Sequence, residues 1–275
     1  MSTILAPKIG RNRVNEMLSP DSSLETKGWA ARWYAEMLIE LFLSKEAKLE
    51  DNKFEDLSLG DKIQRIKNHT SQDVIDALFF IEEVGNKATH FKLNRELALS
   101  DVEKAVSKAT SLFDLILVDI FKDGGLGLTY NTARLFSTLL PSIRVNVLQE
   151  LVNLSCLESE YDVMVLHKYL LALTKNGQRE KARRLIRKLK KKEVIEEFQF
   201  EFWEKSINAI YADLDNLPIP KKIEDCQRNF LSVLASMDDE EKEMNSRFIH
   251  LVQVMYDKVA PSEMGSLVED KLLLI

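Results

Sequence analysis

The chain has 275 residues, of which only 9 are Gly and 6 are Pro, well below the roughly 7% and 5% of average usage. The prolines at 7, 20, 141, 218, 220 and 261 leave 21–140 and 142–217 without one. That excludes collagen-like, Pro-rich and turn-dense all-β designs and suits long helices. With 45% hydrophobic and 30% charged residues, the chain can bury a sizeable core. Its net charge of -6 gives no global basic field, so nucleic acid would need a local patch. Cys156 and Cys226 lie far apart and form no C-x-x-C unit. With no apolar leader in MSTILAPKIGRNR, they read as reduced thiols of a cytoplasmic protein. No apolar run approaches about 18 residues, so no membrane span is expected.

The expected fold is all-α, an N-terminal four-helix bundle followed by a helical-hairpin domain of tetratricopeptide or HEAT type. Residues 1–20 are expected to be loosely ordered. A long first helix follows Asp21-Ser22-Ser23, with one of these as N-cap and Glu25 able to complete a capping box; it carries Trp29, Trp33, Met37, Leu38, Leu41 and Phe42 to about Ser44. A polar connection covers 45–56, and a second helix covers 58–68. Ser71 is placed to cap a third, with Val74, Leu78, Ile81 and Val84 at helical spacing. Ser100 and Glu103 predict another capping box, opening a fourth helix to about 122. The bundle is thus expected over 21–122, a Gly-rich linker over 123–129 and the hairpin domain over 130–275.

Gly124, Gly125 and Gly127 read as a helix stop and linker, because no G-K-[ST] follows them. Beyond it, helices are expected near 130–140, 142–157, 160–176, 178–191, 193–214, 221–236, 238–258 and 262–273. The segment from Leu170 to Leu185, with Asn176-Gly177 and a small Ala182, resembles the turn and second helix of a tetratricopeptide unit. Such arrays build extended binding surfaces.

The third helix ends in Gly85-Asn86-Lys87-Ala88-Thr89-His90. Asn86 and His90 are four apart and so share a helical face. This box resembles the Gly-Asn-x-Ala-Ala-His box of a prokaryotic subfamily of HEPN-like domains, found alone and fused to restriction-enzyme subunits. The similarity covers about 20–122, including the short "LGDKI" helix before it. It implies a four-helix bundle that dimerises, so a homodimer through this region is expected, and a place in a defence or nucleic-acid-processing system. Active members are metal-independent ribonucleases with an Arg-x(4–6)-His motif. In them His moves the 2'-hydroxyl proton and Arg stabilises phosphate charge. Here the Arg position falls on Gly85, with Glu82 and Glu83 before it, which argues against catalysis. If active, His90 is the base and Asn86 its orienter, with an Arg from elsewhere: Arg65, Arg95 or a dimer mate. Otherwise the same two residues serve a side-chain network that fixes the third helix.

The densest charge run is Arg179, Lys181, Arg183, Arg184, Arg187, Lys188, Lys190, Lys191 and Lys192, against Glu180 alone. Helical spacing groups Arg183, Arg187 and Lys190 or Lys191 into a stripe for phosphates or for an acidic partner protein. Glu193, Glu196, Glu197, Glu201 and Glu204 follow at once and could quench it in an antiparallel hairpin. Phe198 and Phe202 share a helical face, offering apolar surface to a partner. Asp238-Asp239-Glu240-Glu241 reads as an acidic first helical turn, not a metal site. His167 and His250 read as isolated core or surface residues. No nucleophile elbow, zinc spacing or dinucleotide fingerprint is present, so no cofactor and no metal are expected. The reading is a non-catalytic interaction protein with a protein partner, or RNA on the basic helix. The alternatives are a ribonuclease and an adaptor docking an acidic partner over 179–192.

Overall fold

The computed structural model describes residues 4–47, 54–89 and 96–256, and the fold is all-α, with no strand among them. The chain divides into two compact units, 1–119 with 246–275, and 120–245. This division differs from the one expected from composition. The boundary falls at 119/120 rather than in the Gly-rich segment, and the helix after 245 belongs with the first unit.

The first unit begins with α1 (Arg11–Leu18) and α2 (Leu24–Leu38). Residues 4–20 are not the loose segment expected of them. Leu5, Val14 and Met17 are buried, and the buried Tyr34 hydroxyl donates to the Leu5 carbonyl at 2.9 Å. Arg13 lies 4.4 Å from the ring centre of Trp29. The reason is local: short apolar α1 residues find a ready face on α2, which a reading by composition cannot see. Ser23 is the α2 N-cap, accepting from the Thr26 amide at 3.2 Å. Small residues Ala30, Ala31 and Ala35 line the buried side of α2, allowing close helix approach. The helix continues through a π turn, Ile39–Leu43, and a last α turn, Ser44–Glu46.

Helix α3 (Leu59–Ile66) is capped by Ser58 and buries Leu59, Ile63 and Ile66. Helices α4 (Gln72–Thr89) and α5 (Leu99–Phe121) complete the bundle. Along α5, Val102, Ala105, Ala109, Leu112 and Ile116 are fully buried, the three-four spacing of one helical face. This helix starts one residue before Ser100, with amides 101 and 102 bonded to the Ala98 carbonyl, so the capping box expected at Ser100 and Glu103 does not form. The Ser246–Met255 helix closes the unit. Its Arg247 contacts Glu46 and lies 3.8 Å from Asp119, and His250 packs on Phe42 at 5.4 Å between ring centres.

The second unit holds α6 (Tyr130–Ser137), α7 (Pro141–Leu154), α8 (Glu160–Lys175), α9 (Arg179–Lys191), α10 (Glu197–Ala212), α11 (Ile223–Ala235) and α12 (Asp239–Met244). Helices α7, α8, α9 and α10 pack successively as helical hairpins. Pro141 opens α7 at its first turn, where its missing N–H costs nothing. Asp238 caps α12, accepting from the Glu241 amide at 2.8 Å, so this acidic run is a helix start, as expected. The expected 238–258 helix is broken at Asn245, giving α12 and the Ser246–Met255 helix, α13. The helix expected over 262–273 lies outside the described residues. No helix among those described is long and apolar enough to cross a membrane.

The turn between α8 and α9 is set by Gly177 at φ +76°. The amide of Gln178 donates to the Leu173 carbonyl at 2.8 Å and that of Gly177 to Thr174 at 3.1 Å. This pair of bonds is the Schellman arrangement, which needs a left-handed residue and favours glycine. The same arrangement ends α9, with Val194 bonded to Leu189 and Glu193 to Lys190. There the left-handed residue is Glu193, at φ +57°. Ala182 is fully buried, as its small size in the hairpin predicts.

Candidate functional site

The Gly-Asn box sits at the C-terminal end of α4, where that helix meets α2. Two glycines lie in the crossing. A Cβ on Gly28 would stand 3.0 Å from the Ala88 Cβ, and one on Gly85 would stand 2.4 Å from the Arg32 Cβ. Arg32 therefore lays its aliphatic stem over the position where a side chain at 85 would begin. Its Nε is buried without a hydrogen-bond partner. Sequence reading missed Arg32, since nothing in the first helix marks it; only the glycine-mediated packing of α2 on α4 brings it to the box.

The rest of the box is bonded along its own helix. The Asn86 amide donates to Glu82, the Thr89 hydroxyl to the Gly85 carbonyl at 2.6 Å, and Lys87 pairs with Glu83 at 2.8 Å. His90 and Arg95 lie outside the described residues. Arg65 stands on α3, a different helix from the box.

The basic run forms α9, and α10 sorts its charges into two sets. Arg183 lies 3.8 Å from Glu204 and 3.5 Å from Glu180; Arg187 lies 4.0 Å from Glu204. Lys190 pairs with Glu197, and Arg179 donates to Asn208 at 2.7 Å and covers the Tyr211 ring. The stripe expected at Arg183, Arg187 and Lys190 thus faces carboxylates seven residues apart on α10. The second set is Lys181, Arg184, Lys188 and Lys191, all exposed and spaced three, four and three residues, one per helical turn. Lys181 donates to Gln149 at 3.2 Å and Arg184 to the Glu180 carbonyl at 3.2 Å. None of the four is ion-paired within the described residues. The spacing of Glu197 and Glu204 was the signal that could have separated the two sets beforehand.

Phe198 and Phe202 are 65% and 58% exposed, leaving apolar surface on α10 as their shared face predicts. Trp203 is buried, stacked on His167 with centres 5.4 Å apart and planes 8° from parallel. Among the described residues no three His, Cys, Asp or Glu gather as a metal centre would require. Cys156 is exposed and Cys226 buried, both unbridged.

Compared with family models, with curated proteins and with solved structures, the chain finds no match in any of the three.

Proposed function

We propose that the protein is a non-catalytic RNA-binding protein that holds the phosphate backbone along the outer row of α9. The observation that carries this reading is the row itself, four exposed cations at one per turn with no carboxylate of the described chain against them. A helix rises 1.5 Å per residue, so successive cations stand roughly 5–6 Å apart along it, and a row of this kind engages phosphates without reading bases. The chain's net charge of -6 makes such binding local and strongly dependent on salt. The HEPN resemblance of 20–122 supports placing it in a defence or nucleic-acid-processing system.

The test is fluorescence anisotropy of a labelled single-stranded RNA across a salt series. Four phosphate contacts give a log–log slope of about -3. Lys188→Glu with Lys191→Glu should weaken binding at least tenfold, while Glu204→Gln, which frees Arg187 and leaves Arg183 only its pairing with Glu180, should strengthen it. Binding of polyglutamate in place of RNA would move the function to an acidic protein partner. Absence of both would sink the reading.

A second reading rests on Arg32. The ribonuclease implied by the resemblance needs a cation near His90, and Arg32 lies across Gly85, where the family has its Arg. RNA degradation abolished in folded His90→Ala and Arg32→Ala proteins would establish it in place of the first.

A further inference from the structure

Deep in the second unit, Arg144 is 5% exposed, and its Nε and Nη2 are buried with no hydrogen-bond partner. The Tyr169 hydroxyl donates to Gln149 at 2.9 Å, joining α7 to α8, which pack as a hairpin. Arg144 in the first turn of α7 therefore stands at the same end of the hairpin as Thr174 and Lys175 in the last turn of α8, near enough for its charge to act on Lys175. Lys168 lies two turns before Lys175 on the same face of α8. Both lysines are half-buried, and the buried Cys226 of α11 forms another wall.

The electrostatics agree with this placement. Burial pushes Lys175 below its ordinary value, and the charges of Arg144 and Lys168 push it further. Burial lowers Lys168 as well, and brings Arg144 down to about 10. No carboxylate of the described residues offsets any of the three. A buried guanidinium with unused donors is unfavourable unless an anion completes it, and its planar donors fit oxyanions two at a time.

We propose that Arg144, Lys168 and Lys175 form a recessed site for a dianionic phosphate group, entered from the side of the half-buried lysines. Three cations call for more than the single charge of a carboxylate, and this favours phosphate as the free ion or as the end of a small phosphomonoester. The site does not rest on the RNA reading, since α9 contributes nothing to it.

The experiment is thermal unfolding and calorimetry of the full chain with inorganic phosphate, glycerol 3-phosphate, acetate or chloride at matched ionic strength. Phosphate should raise the Tm by several degrees over chloride, and acetate should not. A larger rise with glycerol 3-phosphate would identify the ester as the natural form. Arg144→Met should raise the Tm in chloride, by removing an uncompensated charge, and erase the phosphate response. Lys168→Met with Lys175→Met, which leaves Arg144 in place, should weaken phosphate at least tenfold and carries the test if Arg144→Met does not fold. An equal Tm in phosphate and chloride, or a phosphate response kept by both variants, would overturn the site.

Discussion

Arg32 and Gly85 are in contact across the α2–α4 crossing, so close that a methyl group at 85 would stand 2.4 Å from the Arg32 Cβ. That atom is fixed to the backbone and cannot swing aside. Gly85→Ala should therefore destabilise the first unit by up to about 2 kcal/mol, a steric cost of about 1–3 less about 1 from better helix propensity. Urea unfolding followed through Trp29 and Trp33 checks it. Combined with Arg32→Gly, the loss should be smaller than the sum of the two single changes.

Two hairpin turns of the second unit share one backbone solution but different residues. Gly177 adopts it freely, with nothing within 4 Å of an added Cβ; Glu193 adopts it against its own Cβ. Glu193→Gly should stabilise the unit by about 0.5–1 kcal/mol, and Gly177→Ala should cost about 1, through backbone strain alone. Denaturation read through Trp203 separates the two. A Glu193→Gly protein no more stable than the wild type would count against strain at that turn.

Lys62 is 2% exposed, with its ammonium 2.8 Å from Glu36 and 2.5 Å from Glu40. Burial pushes the ammonium down, but hydrogen bonds and the charges of both carboxylates outweigh it and hold it above its ordinary 10.5. Its stabilisation is therefore complete below pH 10.5 and disappears as pH climbs through the folded value. Lys62→Met should cost about 1–2 kcal/mol, less than a fully buried pair, because both glutamates still reach water. The gap between the two proteins should stay constant near neutral pH and narrow above 10.5, measured by denaturation at each pH.

His167 and His250 each bury an Nε2 without a partner. Burial, with Lys168 nearby for one and Lys45 for the other, holds both below the ordinary 6.5. The unfolded chain takes up protons there that the folded chain refuses. Stability is thus full above 6.5 and falls as pH drops from 6.5 through the folded values, by at most about 1.4 kcal/mol per pH unit for each group. His167→Phe with His250→Phe should flatten the loss below pH 6.5. An unchanged slope in that protein would assign the acid sensitivity elsewhere.

Helix positions and caps were readable because their causes are local. Ser23 and Asp238 cap the helices they precede, and Ala182 sits where a hairpin needs a small residue. Pairings between distant segments were not. The Leu5 carbonyl under Tyr34 and the salt bridges of Arg247 depend on which helix faces place remote residues together. Periodicity gives a helix its buried face without naming the neighbour that covers it. The same gap explains the candidate sites. The basic run was legible as charge, while its division into a paired and an unpaired row awaited the register of α9 on α10. Arg144 left one mark, a lone cation among Ile143, Val145, Val147 and Leu148, and it became informative only once its surroundings were known.

Asp119 and Arg247, 3.8 Å apart, close the chain on itself around everything between them. During synthesis the segment carrying α1 to α5 leaves the ribosome early, yet the helix that completes its packing follows only after 120–245 has been made. The second unit therefore has time to form as a loop before its neck is sealed. A gene in which a short linker replaces 120–245 should still yield a complete first unit, and one that stops at 245 should not.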